Sequence, residues 1–395
     1  MISYVNQRLN HDPRIQEIFK NHGYDFQNLD QSRLQFDPGT SSVYNRCGLN
    51  TLPLQNGIKH LSGFSMPAYD ERFSQSWSEI TDQRCHELRK NHFHKPWMIA
   101  WSGGIDSTTI VTSILKNLPS ADLHNITIAC DRFSVWENPK FFRDFVQPNF
   151  QILNSKSLLD IRTLEKFTVI DGEPADQLFA GGISLPMMLS HGLDFLEKDI
   201  VKDADLLIDY IAQTARKSNG ELPGKTFAQW YYTSLIENIR SVDIPVNTFH
   251  DFMWWSYFNF SWTSVKMRGL EVGDFSKISN AQIYMDNFVH WFDSDAYQLW
   301  AMTNNIRDQK YGSTIGHHKI AAKRYIFEFD KNHYNLKYKT KLFSGNYKWL
   351  QPNTWYCMTD DFTLLNLDDH WPIIRDLLPD HLCPTYKHNT SIVTP

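Results

Sequence analysis

The sequence predicts an α/β protein with a parallel sheet and a largely helical C-terminal part. Three observations predict it. The apolar run Met98-Ile99-Ala100-Trp101 ends in Ser102-Gly103-Gly104, after which Ile110, Ile114 and Leu118 recur at helix spacing. That pattern reads as a buried strand, a glycine turn and an amphipathic helix. Further short apolar runs, 126–129, 150–153 and 167–170, alternate with helical stretches. Such alternation means parallel strands joined by crossover helices. From about Leu189 onward helical periodicity dominates.

In chain order, Ile15-Gln16-Glu17-Ile18-Phe19 has helix spacing, and residues 36–68, rich in Pro, Gly, Ser and Asn, read as loop or short strands. A helix is expected from Asp70 to Lys90, with Phe73, Trp77, Ile80 and Leu88 near one face. It leads through Pro96 into the first strand, which is expected to end at Ser102. The second strand ends in Ala129-Cys130-Asp131, Phe141–Val146 reads as a helix, and the fourth strand ends at Asp171. Later helices are expected at Ala204–Ala215, Phe227–Arg240 and Phe249–Ser261; their Trp230, Trp254, Trp255 and Phe258 read as helix-packing core. The last 45 residues, with Trp355 and Trp371, read as a packed irregular extension. No internal repeat is present.

A chain of 395 residues has room for two domains, or for one large domain with an appendage, and 42% hydrophobic residues can build a sizeable core. A net charge of −5 without long like-charge blocks argues against a general nucleic-acid binder. Met1-Ile2-Ser3-Tyr4 lacks the pattern of a signal peptide. Phe252–Trp262, the most apolar window, is too short and polar to span a bilayer. A cytoplasmic protein with no membrane partner is expected. The five cysteines, Cys47, Cys85, Cys130, Cys357 and Cys383, form no Cys-x-x-Cys pair, so free buried thiols are expected rather than a zinc site or disulfide framework.

Two stretches carry the chemistry. A helix N-terminus has unpaired N–H groups and the positive end of the dipole, and so holds anions. Gly103 and Gly104 let a phosphate approach the backbone, and Ser102, Ser107 and Thr108 add hydroxyls. Asp106, a carboxylate facing phosphates, points to a bridging divalent cation. The other stretch is Asp171-Gly172-Glu173-Pro174-Ala175-Asp176, two acids three residues apart after the fourth strand. Acids there suit helix capping. They also follow the carboxyl end of a strand, where parallel sheets bind ligands.

The string Ser102-Gly103-Gly104-Ile105-Asp106-Ser107 lacks the Gly-Lys-Ser/Thr of a Walker loop and resembles the pyrophosphate loop (PP-loop) of N-type ATP pyrophosphatases. Asp171–Gly182 resembles the Ser-Gly-Glu-Gly-x-Asp-Glu-x-Phe-Gly-Gly of asparagine synthetases within that family. Gly172, Glu173, Asp176, Phe179 and Gly181 match; Asp171, Pro174, Gln177 and Ala180 depart. The resemblance covers about 70–345, a synthetase domain with its nucleotide-binding sheet at about 96–190 and a helical part at about 191–345. Residues 1–69 and 346–395 are extensions without an assigned role.

The resemblance implies an adenine-nucleotide alpha-hydrolase fold of Rossmann-like type, with ATP and Mg2+ as cofactors. It assigns Ser102, Gly103, Gly104, Asp106, Ser107, Thr108, Ala129 and Gly172 to ATP and pyrophosphate, and Asp106 and Asp176 to the metal. Glu173 would lie by the acyl and amine site as a catalytic group. Phe292 and Asp293 match the end of the family's Arg-x-Pro-Phe-Leu-Asp segment, which borders the substrate pocket, while His290 reads as structural. Gly316–Tyr325 looks like the family's lysine-containing helix, with His317 and His318 on the surface. Tyr334–Phe343 resembles the Arg-x-Lys-x-x-Phe loop, with Lys339 and Lys341 as candidates for the lysine that touches the phosphates.

The implied activity is an AMP- and pyrophosphate-forming amide ligase with asparagine as the default product, and Pro174 leaves the carboxylate substrate open. Ile2 stands where glutamine-dependent members carry a cysteine, so ammonia or another amine is the expected donor, with a separate ammonia-supplying protein as a conceivable partner. The alternatives are an enzyme adenylating a nucleotide or tRNA base, and a catalytically silent ATP-binding protein.

Overall fold

The computed structural model describes residues 46, 66–155, 158, 160–180, 191–214, 224–262, 265, 283–284, 286–303, 310, 318–333, 335–336, 356–358 and 364–366. The chain divides into two compact units. One comprises Trp77–Gly172, Gly273–Trp291 and Ile320–Pro395; the other comprises Met1–Ser76, Glu173–Val272 and Phe292–Lys319. Among the described residues no helix is long and apolar enough to cross a membrane.

The first unit is built on a five-stranded, all-parallel sheet of order β3-β2-β1-β4-β5. The strands are β1 (Trp97–Ala100), β2 (Ile126–Cys130), β3 (Gln151–Asn154), β4 (Thr168–Asp171) and β5 (Phe288–His290). The fold is therefore α/β, compatible with a Rossmann-like arrangement. Ile99 of β1 lies opposite Ile128 of β2 and Ile170 of β4, and all three are fully buried. Continuous apolar runs are what a parallel sheet covered on both faces requires. β1 stops two residues before the expected Ser102, yet Trp101 N still donates to Ala129 O at 3.0 Å, so the ladder runs past the strand. β5 departs from the sequence reading, which placed this segment only at a pocket border. At three residues it is too short to show a period.

The helices before the fourth strand are α1 (Trp77–His92), α2 (Ile105–Asn117), α3 (Arg132–Glu137), α4 (Pro139–Phe141) and α5 (Ile161–Lys166). After it come α6 (Ala175–Phe179), α7 (Leu193–Leu196), α8 (Ala204–Thr214), α9 (Gly224–Ile239), α10 (Phe249–Ser256), α11 (Asp295–Thr303) and α12 (Ile320–Asp330). A further antiparallel pair, β6 (Tyr356–Met358) and β7 (Leu364–Asn366), lies in the C-terminal extension. Helix α1 starts at Trp77, not Asp70, because the Asp70 carboxylate accepts the Arg72 N–H at 3.0 Å and makes a local turn. The expected helix at 141–146 is α4 continued by a π-turn, Phe142–Val146, with Trp101 stacked on Phe141 and Phe142. The expected helices of the second unit are α8, α9 and α10; α10 starts with a Thr248–Asp251 capping box and continues as a π-turn, Tyr257–Ser261. Trp254, Trp255, Phe258 and Trp262 are fully buried there. The 15–19 helix, the side chain of Trp230, Trp355 and Trp371 lie outside the described residues. Cys85 and Cys130 are free and buried, and burial pushes both thiols up to about 12.

In the first unit, Asp82 of α1 joins three helices. Its carboxylate accepts from Lys116 Nζ (2.7 Å) and Asn117 Nδ2 (2.8 Å) of α2, and from Tyr325 Oη (2.5 Å) of α12. Burial raises its pKa, but the bonds from Lys116, Tyr325 and Asn117 outweigh that and hold it below the ordinary carboxylate value. A depressed folded pKa contributes stability above the unfolded pKa and loses it as pH falls through the folded one. Lys116 is substantially exposed, so its ion pair is screened and the buried bonds matter more. Asp82→Asn should cost about 1–2 kcal/mol at neutral pH in denaturant titrations. The gap from wild type should close below the usual carboxylate range; a gap that persists there would remove the charge from the explanation.

Candidate functional site

The turn after β1 is set by a close approach. Gly103 has φ +71°, and a Cβ there would lie 2.1 Å from Ser134 O and 2.8 Å from Glu137 Cβ. Only glycine meets both conditions cheaply. Ser134 is itself fixed by a capping box at the start of α3: Asp131 Oδ1 accepts Ser134 N at 2.9 Å, and Asp131 N donates to Ser134 Oγ at 3.3 Å. Asp131, at the end of β2, is thus a cap.

Gly104 is the N-cap of α2, and no side chain caps the helix. A glycine there has no side chain with which to cap the first turn. Ser102 is exposed; Gly104 and Asp106 are half-buried. Ser102 N donates to Ser107 Oγ at 3.1 Å, the two hydroxyl oxygens lie 3.1 Å apart, and Gly104 N donates to Ser102 Oγ at 3.3 Å. Thr108, expected at the phosphates, is fully buried instead: its hydroxyl accepts from Trp101 Nε1 (3.3 Å) and donates to Gly103 O (3.4 Å). Ala129 is also buried and holds the ladder to Trp101. Gly172, just past β4, presses on the same turn: a Cβ there would lie 3.3 Å from Asp106 Cβ and 3.4 Å from Ser107 N. The structure thus brings Ser102, Gly103, Gly104, Asp106, Ser107 and Gly172 together at the carboxyl end of the sheet.

Beside them, Asp171 Oδ1 and His290 Nδ1 lie 2.7 Å apart, joining the ends of β4 and β5. Arg84 of α1 supports this end, donating from Nε to Trp291 O (2.9 Å) and from Nη2 to His290 O (3.2 Å).

Glu173 and Asp176 belong to the second unit. The Glu173–Pro174 peptide is cis, and Pro174 is the N-cap of α6, with Asp176 in the first turn. Asp176 Oδ1 meets Lys319 Nζ at 2.5 Å, with the lysine side chain 9% exposed. Lys319 has φ +61°, and its N–H donates to Lys310 O at 2.6 Å. Lys310 is fully buried, donating to Ala301 O at 2.7 Å with its ammonium 4.1 Å from the Trp254 ring centre. Burial lowers its pKa well below the ordinary lysine value. The sequence reading placed Lys319 in the stretch likened to the family's lysine-containing helix, Gly316–Tyr325, without assigning it a contact. Phe292 is fully buried against Tyr297 (ring centres 5.1 Å apart), so it is core; Asp293 is half-buried. Lys339, Lys341, Gly181 and His317 lie outside the described residues. His318 is half-buried.

Among the described residues no group of three or more His, Cys, Asp or Glu could hold a metal. Magnesium on a nucleotide needs only one or two carboxylates with phosphate oxygens and water. The half-buried Asp106 beside an uncapped helix N-terminus fits that mode. No family model, no curated protein and no solved structure matches the chain.

The geometry separates the two glycines. Gly103→Ala should destabilise the protein by at least about 1–3 kcal/mol in denaturant titrations. Gly104→Ala, at a negative φ and meeting only the Ser102 hydroxyl, should stay near wild type. Equal effects would contradict the close approach at Gly103.

Proposed function

We propose that this protein is an ATP-dependent amide ligase similar to the asparagine synthetases, forming AMP and pyrophosphate. One observation carries the reading. A glycine turn with no room for a Cβ starts α2 on Gly104, which has no side chain to cap it, beside Ser102, Asp106 and Gly172, at the carboxyl end of a parallel sheet. Anionic ligands of such sheets bind there, on bare helix amides.

In this reading the triphosphate lies on the turn, held by backbone N–H groups of α2 and the Ser102 hydroxyl. A carboxylate oxygen of the substrate attacks the α-phosphorus, the bond to the β-phosphate oxygen breaks, and pyrophosphate leaves. The nitrogen of ammonia or an amine then attacks the acyl carbon, AMP departs with the carboxyl oxygen, and the nitrogen loses its proton. Glu173 is the group we assign to that proton. Magnesium, when bound, neutralises the polyphosphate. Asp106 is the ligand this turn offers, and Asp176 is the second ligand the resemblance assigns. Lys339 or Lys341 supplies the remaining positive charge in the same way. The amide dipoles are fixed before the reaction, which is where such a site gains most of its rate. Aspartate is the default substrate.

The test is pyrophosphate release from ATP and magnesium with a panel of amino acids, with and without ammonia. Release that needs aspartate and ammonia supports the asparagine product. Release stimulated only by RNA would replace this reading with a base-adenylating enzyme, and ATP binding without turnover would leave a silent nucleotide-binding protein. Asp106→Ala should lower release by at least about 100-fold, the scale of losing one preorganised electrostatic group. Its denaturation midpoint should stay unchanged; retained release would remove Asp106 from the phosphate site.

A further inference from the structure

The second unit holds a buried arginine that the proposed reaction does not use. Arg46 is 6% exposed. Its backbone N–H donates to Asn259 Oδ1 at 2.9 Å. Its guanidinium donates from Nη1 to Phe258 O at 3.1 Å and from Nη2 to Gln298 Oε1 of α11. The guanidinium carbon lies 4.7 Å from the Phe258 ring centre and 4.4 Å from that of Trp262.

The surrounding residues form a receptor that is itself locked. Asn259, fully buried, donates from Nδ2 to Asn238 Oδ1 at 2.9 Å, and the same oxygen accepts Trp255 Nε1 at 2.7 Å. Phe258 and Asn259 sit in the π-turn that continues α10. A π-turn shifts the backbone bonding register, which leaves carbonyls such as that of Phe258 to outside donors. The named acceptors of the guanidinium are neutral: one carbonyl and one amide oxygen. Two ring faces add attraction through their quadrupoles. This chemistry suits a planar, weakly hydrated fork and not a compact ammonium.

We propose that this is a guanidinium-binding site filled in cis by Arg46, and that recognition resides in the guanidinium group rather than in the chain that delivers it. The ligand class is therefore an arginine side chain or a small guanidinium compound. The site also reaches the candidate metal ligand of its own unit. The π-turn and α11, the two elements that hold Arg46, are both packed against α6, with Trp300 of α11 5.3 Å from Phe179. Occupancy of the site thus supports the helix that carries Asp176. The binding claim does not depend on the proposed ligase activity.

The test is chemical rescue in the full chain. Arg46→Ala should lower the Tm by several degrees. Millimolar methylguanidinium should restore most of that loss saturably and should leave wild type unchanged, whereas methylammonium at equal ionic strength should not. Arg46→Lys should remain nearly as unstable as Arg46→Ala. If Arg46→Ala does not fold, the same comparison is read as refolding yield with each cation. An Arg46→Ala variant as stable as wild type, equal rescue by both cations, no rescue by either, or a fully stable Arg46→Lys would each overturn the proposal.

Discussion

The absence of a Cβ at Gly103 is the constraint on which the first unit's polar end depends. The Ser134 carbonyl sits where that atom would be, and the Asp131 cap holds Ser134 in place. The chain must therefore turn with a left-handed residue directly after β1. That turn points the start of α2 at the carboxyl end of the sheet. Gly172 makes a second, milder approach from β4, so two neighbouring strands deliver backbone to the same few ångströms. Three side-chain hydroxyls would otherwise compete for the helix amides. Instead Thr108 turns inward to Trp101 and Gly103, while Ser107 and Ser102 bond each other, and the N-cap Gly104 has no side chain of its own to add.

Three buried cations, Arg84, Arg46 and Lys310, are held alike: each is given oxygen acceptors and, in the second unit, aromatic faces. Arg84 bonds two carbonyls at the end of β5 and also Glu87 at 2.8 Å. Arg46 has a carbonyl, an amide oxygen and two rings. Lys310 has a carbonyl and the Trp254 ring. Leaving such a group without acceptors would cost several kcal/mol. These contacts tie segments far apart in sequence, since the carbonyl partners of Arg84 and Arg46 are more than 200 residues away.

The strands β1 to β4 and the helices α8 to α10 were legible because each is long enough, or apolar enough, to show its period. The glycine turn was legible because Gly103 and Gly104 stand between a strand and a helix. β5 was not, since its three residues take their pairing from β4 rather than from any pattern of their own. Thr108 read as a phosphate donor because a hydroxyl's direction is decided by packing, here by Trp101. Phe292 read as a pocket residue; its ring is fully buried and lies 5.1 Å from that of Tyr297, five residues on, a contact no spacing announces. Lys319 was illegible for a backbone reason: its left-handed φ places the side chain on Asp176, and lysine gives no sign of that conformation.

That ion pair makes the two assigned metal ligands unequal. Asp106 lies at the positive end of a 13-residue helix, a field that already favours its charge. Asp176 Oδ1 is held by an ammonium only 9% exposed, where water screens the pair weakly. A cation arriving at Asp176 Oδ1 must displace or share that lysine, and a displaced, largely buried ammonium needs another anion. Metal at Asp176 and a new acceptor for Lys319 would then be linked events, so that neither exchange leaves a buried charge alone. Lys319 is itself tied in: its own N–H is bonded to Lys310, and Lys310 is anchored on Ala301 and Trp254. Those contacts connect the Asp176 pair to the buried core of its own unit.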